Sequence, residues 1–168
     1  MRKKNDGGAG NTFPEGLELT VKRFPELSVE ELYEILRTRE AVFIVEQNCP
    51  YPEADGRDYD AVHLFCRGRD GRVKAYLRLY AKPEEEGTVQ VGRVVTAERG
   101  IGLGRRILQE GIRYAVGTMG ARELYLEAQV QAVGFYEKEG FRVCSSEFLE
   151  DGIPHVQMRR KGDFMART

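Results

Sequence analysis

Cysteine and histidine are scarce in this sequence, with three cysteines and two histidines among 168 residues. Cys49, Cys66 and Cys144 are odd in number and widely spaced, so they predict neither a disulfide framework nor a zinc site. The net charge of −1 provides no bulk attraction for nucleic acid or for a membrane surface. No apolar run reaches membrane-span length, and the basic start lacks the apolar stretch of a signal peptide. We therefore expect a cytoplasmic protein with reduced thiols, without bound metal, and without a nucleic-acid or membrane partner.

The length and composition predict one globular domain. Hydrophobic residues make up 41% of the chain and charged residues 32%, which is typical of a folded protein with an ordinary core. Residues 1–16 are rich in Gly, Asn and Lys and predict a flexible tail. We expect the domain to cover residues 17–161, followed by a short tail at 162–168.

Hydrophobic periodicity predicts the order of strands and helices. The predicted strands cover 17–22, 61–67, 73–81, 88–96, 123–127, 141–148 and 155–159, and the predicted helices cover 29–45, 103–119 and 130–138. Ser28 and Glu31 form a capping box at the start of the first helix. The three strands between 61 and 96 predict an antiparallel meander, and the helix after them requires one parallel pair, 88–96 with 123–127. The fold class is therefore α/β, with a mostly antiparallel mixed sheet flanked by helices.

A glycine-rich turn carries the strongest functional signal. Residues 99–104 read Arg-Gly-Ile-Gly-Leu-Gly between a predicted strand and a predicted helix. The glycines let a ligand approach the backbone, and the helix N-terminus offers free N–H groups and a positive dipole end. Arg99, Arg105 and Arg106 add positive charge. This combination predicts a site for a phosphate-bearing cofactor.

Two common phosphate-binding motifs do not fit this turn. A P-loop requires Gly-Lys-Ser or Gly-Lys-Thr, and the chain contains neither. A dinucleotide fingerprint lacks its third glycine in both registers, because Arg105 and Ile107 stand there, and the preceding element order is also wrong. Glu127 does end a strand where a ribose-binding acid would lie. A nucleotide-dependent oxidoreductase therefore stays open as an alternative, which predicts tighter binding of NAD(P) than of CoA.

Two segments carry a resemblance to a known family. Residues 99–104 fit the pattern Gln/Arg-x-x-Gly-x-Gly/Ala, and residues 132–141, Ala-Val-Gly-Phe-Tyr-Glu-Lys-Glu-Gly-Phe, fit Ala-x-x-Phe-Tyr-x-x-x-Gly-Phe. Together with the element order, they resemble the GCN5-related N-acetyltransferase (GNAT) family over about residues 17–160. Residues 41–51 and 150–155 are similar to segments of its ElaA-type subfamily. The resemblance implies a GNAT-like fold and direct transfer of an acetyl group from acetyl-CoA to a primary amine of a small molecule or peptide.

The resemblance also implies which residues bind CoA. It places the backbone of Val94, Val95 and Thr96 against the pantetheine arm, on a strand that splays away from residues 123–127. Gln129 stands where many relatives carry an asparagine that contacts the cofactor. The pyrophosphate would meet the turn and its backbone amides, formed by Arg99, Gly100, Gly102, Leu103, Gly104 and Arg105.

Acyl transfer to an amine requires an acid for the leaving thiolate and a base for the amine. Tyr136 is the candidate acid, because a phenol is protonated at neutral pH and can donate to a thiolate. Glu127 and His155 are the candidate bases, ahead of His63, whose face on its strand the sequence leaves undetermined.

Further interpretations stay open. Cys49 could act as a covalent nucleophile with a histidine partner, although a lone cysteine in a loop is more often unreactive. The acidic loop of Glu53, Asp55, Asp58 and Asp60 could attract a cationic amine, or it could be an ordinary solvated loop. The chain could also be a non-catalytic CoA-binding sensor or interaction module, and a homodimer is left open.

Overall fold

The computed structural model describes residues 13–163, so residues 1–12 and 164–168, most of the two predicted tails, lie outside the described residues. The helices are α1 (Val29–Arg39), α2 (Leu103–Gly117) and α3 (Val133–Glu137). The strands are β1 (Glu18–Arg23), β2 (Val62–Arg67), β3 (Val73–Ala81), β4 (Thr88–Thr96), β5 (Glu123–Gln129), β6 (Arg142–Val143), β7 (Phe148–Glu150) and β8 (Ile153–Lys161). Among residues 13–163, no helix is both long and apolar enough to cross a membrane.

The described strands form one eight-stranded sheet in the order β1-β2-β3-β4-β5-β8-β6, and β7 also pairs with β8. β4 and β5 are parallel, and the other pairs of this sheet are antiparallel. The predicted mixed sheet with one parallel pair is therefore confirmed. The parallel pairing covers residues 88–90 of β4 against 123–125 of β5. Beyond residue 90 the two strands separate, and this separation creates a gap in the sheet.

Helices cover both faces of the sheet. Because successive side chains of a strand point to opposite faces, one strand can contribute residues to two apolar clusters. On one face, Leu64 and Leu77 pack with Ile107 of α2. On the other face, Phe65 packs with Ile35 of α1. The central strands are thereby buried on both sides, which fixes the positions of the helices relative to the gap.

The first helix begins at the predicted capping box. The Ser28 hydroxyl accepts a hydrogen bond from the Glu31 N–H at 3.0 Å, and the Glu31 carboxylate accepts one from the Ser28 N–H at 2.9 Å. The sequence predicts a helix to residue 45, whereas α1 ends at Arg39. The chain continues through wider π-helical turns at Glu40–Glu46, a form that is rare and often lies beside functional sites.

One predicted strand is wrong in its extent. The sequence predicts a single strand over 141–148, but the chain forms β6 and β7 with a break between them. Within the break, the Ser145 hydroxyl accepts a hydrogen bond from the backbone N–H of Gln157 at 2.9 Å. This side-chain contact takes the place of a ladder hydrogen bond, as serine side chains commonly do. The break lets β7 form a short hairpin with β8.

We expect the Ser28→Ala variant to destabilise the protein by about 1 kcal/mol, because the Glu31 N–H in the first turn of α1 loses the hydroxyl that accepts its hydrogen bond. For a domain of this size, that change corresponds to a melting temperature lower by about 2–4 °C. Thermal unfolding followed by circular dichroism measures the effect, and Ser28→Thr, which keeps the hydroxyl acceptor, serves as the control. A melting temperature equal to that of the wild type for Ser28→Ala would contradict the assignment.

Candidate active site

A cavity of about 910 Å³ lies in the gap between β4 and β5. Residues 91–94 of β4 line one side, and residues 127–129 of β5 line the other. Parts of the loop at 51–57 and of the hairpin at 150–155 complete the lining. The cavity therefore lies where the hydrogen-bonded pairing between β4 and β5 stops.

A β-bulge shapes the β4 side of the cavity. The register between β3 and β4 shifts, so that Arg93 and Val94 together stand opposite Leu77. Arg93 has a φ of 54°, in the left-handed region that costs an ordinary residue about 1–2 kcal/mol. No strand among residues 13–163 pairs with the edge of β4 that faces β5 beyond residue 90. The backbone groups on this edge are available to a ligand, and the splayed strand implied by the sequence is present.

The glycine-rich turn forms a bare helix N-terminus. Gly100 has a φ of 82° and Gly102 a φ of 76°, and a Cβ atom added at either position would meet no atom of residues 13–163 within 4 Å. α2 begins at Leu103, and no side chain in the described part of the chain caps its first turn. The first N–H groups of a helix have no acceptor within the helix. The turn therefore has the geometry of an anion site, with open space above its backbone.

Arginines flank this turn in ion pairs. Arg99 pairs with Glu46 and Arg105 pairs with Glu139, while both arginine side chains stay largely exposed. Neither these arginines nor the turn between them lines the cavity. The turn follows the C-terminal end of β4 and the cavity lies along residues 91–94, so an extended ligand would be needed to occupy both.

Tyr136 of α3 lines the cavity. Its ring makes edge-to-face contacts with Phe135 and Phe141, with centroids 5.0 Å and 6.0 Å apart. Burial raises the pKa of the Tyr136 phenol, so the group is protonated at neutral pH. A phenol held by its ring in this way can donate a proton into the cavity.

Glu127 lies on the β5 side, exposed to the cavity. The Tyr125 hydroxyl donates a hydrogen bond to its Oε1 atom at 2.8 Å. Burial and the Glu127 carboxylate both raise the pKa of Tyr125, so Tyr125 acts as the donor. No motif in the sequence pointed to Tyr125, whose contact with Glu127 follows from their positions two residues apart on one strand face.

His155 and Glu150 meet at the hairpin end of the cavity. The His155 Nδ1–H donates to the Ile153 carbonyl at 2.7 Å, since a carbonyl can only accept. Nε2, the other ring nitrogen, lies 3.6 Å from Glu150 Oε2. Burial and the nearby Glu127 carboxylate raise the pKa of Glu150. Sequence reasoning missed Glu150, which reaches this site only because β7 folds back on β8.

The structure places His63 away from the cavity, in the core. Its side chain is fully buried, and its ring nitrogens hydrogen-bond to the Tyr76 hydroxyl at 2.7 Å and the Asp58 carbonyl at 2.9 Å. Burial lowers its pKa. His63 is therefore a structural residue whose two ring nitrogens both have hydrogen-bond partners. The candidate bases that remain are Glu127 and His155, which line the cavity.

Cys49 and Gln129 lie together beside the β5 end of the gap. The Cys49 sulfur is almost fully buried, 3.7 Å from the Gln129 side-chain nitrogen and 3.8 Å from the Gln47 side-chain oxygen. Among residues 13–163, no histidine hydrogen-bonds to this sulfur. A Cys–His nucleophile is therefore not formed here, whereas Gln129 does line the cavity.

Three arginines from α1, β3 and β4 neutralise the acidic loop. The network joins Arg39 to Asp58 at 2.8 Å, Arg78 to Asp58 at 2.9 Å and to Asp55 at 2.6 Å, and Arg93 to Glu53 at 2.8 Å. The Arg39 and Arg78 side chains are 0% and 2% exposed. The sequence left open whether these carboxylates attract a cationic amine or belong to an ordinary solvated loop; the structure shows that Glu53, Asp55 and Asp58 are paired with arginines, so their charges are balanced internally.

Comparisons with known proteins agree with this geometry. The model of the acetyltransferase (GNAT) domain matches residues 58–161. A UPF0039 protein of Schizosaccharomyces pombe is 42% identical over 146 residues, which cover 85% of this chain and 96% of that protein. The ElaA protein of Escherichia coli is 35% identical over 139 residues, which cover 81% of this chain and 91% of that protein. The chain belongs to the GNAT family and is of the ElaA type.

Solved GNAT structures share the same fold. An acyl-CoA N-acyltransferase from Pseudomonas aeruginosa is 42% identical with a TM-score of 0.79, and E. coli ElaA is 34% identical with a TM-score of 0.79. Each match covers 86% of this chain and 99% of the other. GNAT membership makes this chain an acyltransferase of the kind that uses an acyl-CoA donor and an amine acceptor.

The paired loop predicts a specific acid sensitivity. Burial alone would raise the pKa of Asp55, but Arg78 outweighs burial and lowers it to about 2, below the ordinary 3.8. A depressed folded-state pKa gives stability that is complete above about pH 4 and is lost as the pH falls towards 2. We expect Asp55→Asn to lower the free energy of unfolding at pH 7 by about 1 kcal/mol, a value reduced for solvent screening.

Urea unfolding between pH 2 and pH 7 measures this effect. Asp55→Asn should lose part of the decline in stability between pH 4 and pH 2, whereas Asp60→Asn, on the same loop, should keep the wild-type profile. An Asp55→Asn profile that runs parallel to the wild type over this range would contradict the role of the ion pair.

Proposed function

We propose that this protein is an N-acetyltransferase that transfers an acetyl group from acetyl-CoA directly to a primary amine of a small molecule or peptide. The observation that carries the proposal is the gap between β4 and β5, which holds a cavity lined by Tyr136 and lies beside an uncapped helix N-terminus. An acyl-CoA has one anionic end and one thioester end, and these two features are suited to the two ends. Family membership supports the same donor.

The donor would lie along β4. In the proposal, the backbone of Val94, Val95 and Thr96 holds the pantetheine arm in place of the missing strand, and the Gln129 amide contacts it from β5. The pyrophosphate would bind at the turn, through the amides and charges of Arg99, Gly100, Gly102, Leu103, Gly104 and Arg105. The open space above Gly100 and Gly102 is consistent with close approach of a phosphate to the backbone.

The cavity side chains would move the protons. The acceptor nitrogen, once neutral, attacks the thioester carbonyl carbon, and the carbon–sulfur bond breaks. Glu127 or His155 takes the protons that the nitrogen releases, directly or through water, and Tyr136 donates a proton to the departing thiolate. Unpaired N–H groups of β4 would stabilise the negative charge that develops on the carbonyl oxygen. The products are an amide and free CoA, so that no covalent enzyme intermediate is required.

Glu127 and His155 differ in how each would act. Glu127 is exposed to the cavity, and its carboxylate accepts a hydrogen bond from the Tyr125 hydroxyl. His155 presents Nε2 towards Glu150, so a proton taken there would be stabilised by a carboxylate 3.6 Å away. Both groups lie on the side of the cavity opposite the β4 bulge.

Binding of the donor tests the turn. We expect Gly102→Ala to weaken CoA binding about tenfold or more, which is at least 1.4 kcal/mol, because its methyl group enters the space above the turn. Gly120→Ala is the matched control, since Gly120 also has a positive φ, of 69°, and open space around its Cβ position. Both variants carry similar backbone strain, so their melting temperatures should fall together.

Isothermal titration calorimetry with CoA, acetyl-CoA and NADP measures these affinities. Wild-type protein should bind acetyl-CoA and CoA more tightly than NADP. Tighter binding of NADP would favour the oxidoreductase alternative. Equal CoA affinities for Gly102→Ala and Gly120→Ala would show that the glycine-rich turn does not bind CoA.

Tyr136→Phe tests catalysis. We expect kcat to fall about 100-fold, because the leaving thiolate loses its proton donor. The affinity for acetyl-CoA and the melting temperature should stay near wild-type values, since no described residue hydrogen-bonds to the Tyr136 hydroxyl. Release of free CoA, followed with a thiol reagent over a panel of amines and peptides, provides the rate. Binding of acetyl-CoA without turnover of any amine, in wild type and variant alike, would instead support the sensor alternative.

A further inference from the structure

Arg93 occupies a backbone conformation that its own type disfavours. Its φ of 54° is left-handed, in the bulge where β4 leaves β5. Glycine would adopt this conformation freely, and the residue before it, Gly92, shows that a glycine is tolerated in this strand. A strained residue persists only where its surroundings determine its conformation. The contacts of the Arg93 side chain must therefore outweigh the strain of its backbone.

The side-chain contacts of Arg93 extend from β4 to the loop at 51–57. The Arg93 guanidinium lies 2.8 Å from Glu53 Oε2 and 3.5 Å from Asp55 Oδ2. It also lies over the ring of Tyr51, 4.9 Å from the centroid. Arg93 thus connects a strand of the sheet to the loop that forms the opposite part of the lining.

Glu53 and Asp55, the partners of Arg93, are themselves held by other ion pairs. Glu53 is ion-paired with Arg39, and Asp55 with Arg78, both of which have buried side chains. Arg78 makes a bidentate contact with the Asp55 carboxylate, and Arg39 donates to both the carboxylate and the backbone carbonyl of Glu53, so two directional contacts restrain the loop in position. The loop therefore offers Arg93 rigid partners.

The bulge in turn sets the backbone that faces the cavity. Val94 follows Arg93, stands with it opposite Leu77, and lines the cavity. A change in the Arg93 backbone would rotate the peptide group that joins it to Val94. The direction of that peptide group decides whether an N–H points into the gap.

We propose that Arg93 is a positioning residue that fixes the β4 bulge against Glu53 and Asp55, so that the backbone at Val94 is oriented towards the thioester carbonyl. The inference rests on the proposed function, because it assumes that an acyl thioester occupies the gap. Arg93 contacts the loop and acts through the backbone of its neighbour. It couples the loop side of the cavity, where an acceptor would enter, to the strand that polarises the donor.

Arg93→Gly separates this role from a purely structural one. Glycine keeps the left-handed backbone accessible while it removes the side-chain anchor, so the protein should fold and bind CoA within twofold of the wild type. The readout is the carbonyl ¹³C signal of bound [1-¹³C]acetyl-CoA, which moves downfield when N–H groups polarise the carbonyl. We expect the downfield shift in wild type, its loss in Arg93→Gly and an intermediate value in Arg93→Lys, which keeps the charge without the planar fork.

Arg72→Gly is the control, because Arg72 pairs with Glu34 and does not line the cavity; its carbonyl signal should match the wild type. A lower melting temperature for Arg93→Gly with an unchanged carbonyl signal would overturn the inference alone, as would a wild-type signal at the free value. Absence of acetyl-CoA binding in the wild type would overturn the proposed function and the inference with it.

Discussion

The rest of the structure depends on the short parallel pairing of β4 with β5. A parallel pair requires a crossover, and here the crossover begins with the glycine-rich turn and continues as α2. The crossover brings β5 beside β4 for three residues, after which the strands separate. One connection therefore generates both the uncapped helix N-terminus and the gap in the sheet. Buried backbone groups need partners, so an opened sheet is stable chiefly where water or a ligand can complete it.

The paired carboxylates of the acidic loop hold the loop in position and are not available to attract a ligand. Buried ion pairs are costly unless their geometry is good and their remaining atoms are hydrogen-bonded. Here Asp58 receives hydrogen bonds from both Arg39 and Arg78, and its backbone carbonyl contacts His63. The same pairs hold an irregular segment without a regular ladder of its own. Such pairing explains how a loop with two prolines and several acids forms a defined wall beside the cavity.

The sequence predicted the elements whose signals are local. The bounds of β3 and β4 match the prediction, because apolar alternation and turn residues define both ends, and the Ser28 capping box lies within four residues. The break near Ser145 depends on a contact with Gln157, twelve residues away. The burial of His63 and the neutralised acidic loop depend on partners from other strands and from α1. The left-handed Arg93 has no signal of its own, because its conformation follows from contacts made elsewhere.

The arginine–carboxylate network has a consequence for recognition at its side of the cavity. Three positive and three negative groups lie together there, so their net charge is zero. The potential of a neutral cluster decays with distance much faster than that of a single charge. The network itself consequently exerts little pull on an approaching molecule. Under the proposed function, long-range selection of an acceptor by charge would therefore depend on lining groups outside the network, such as Arg57 of the same loop and Glu127 and Glu150 at the hairpin side.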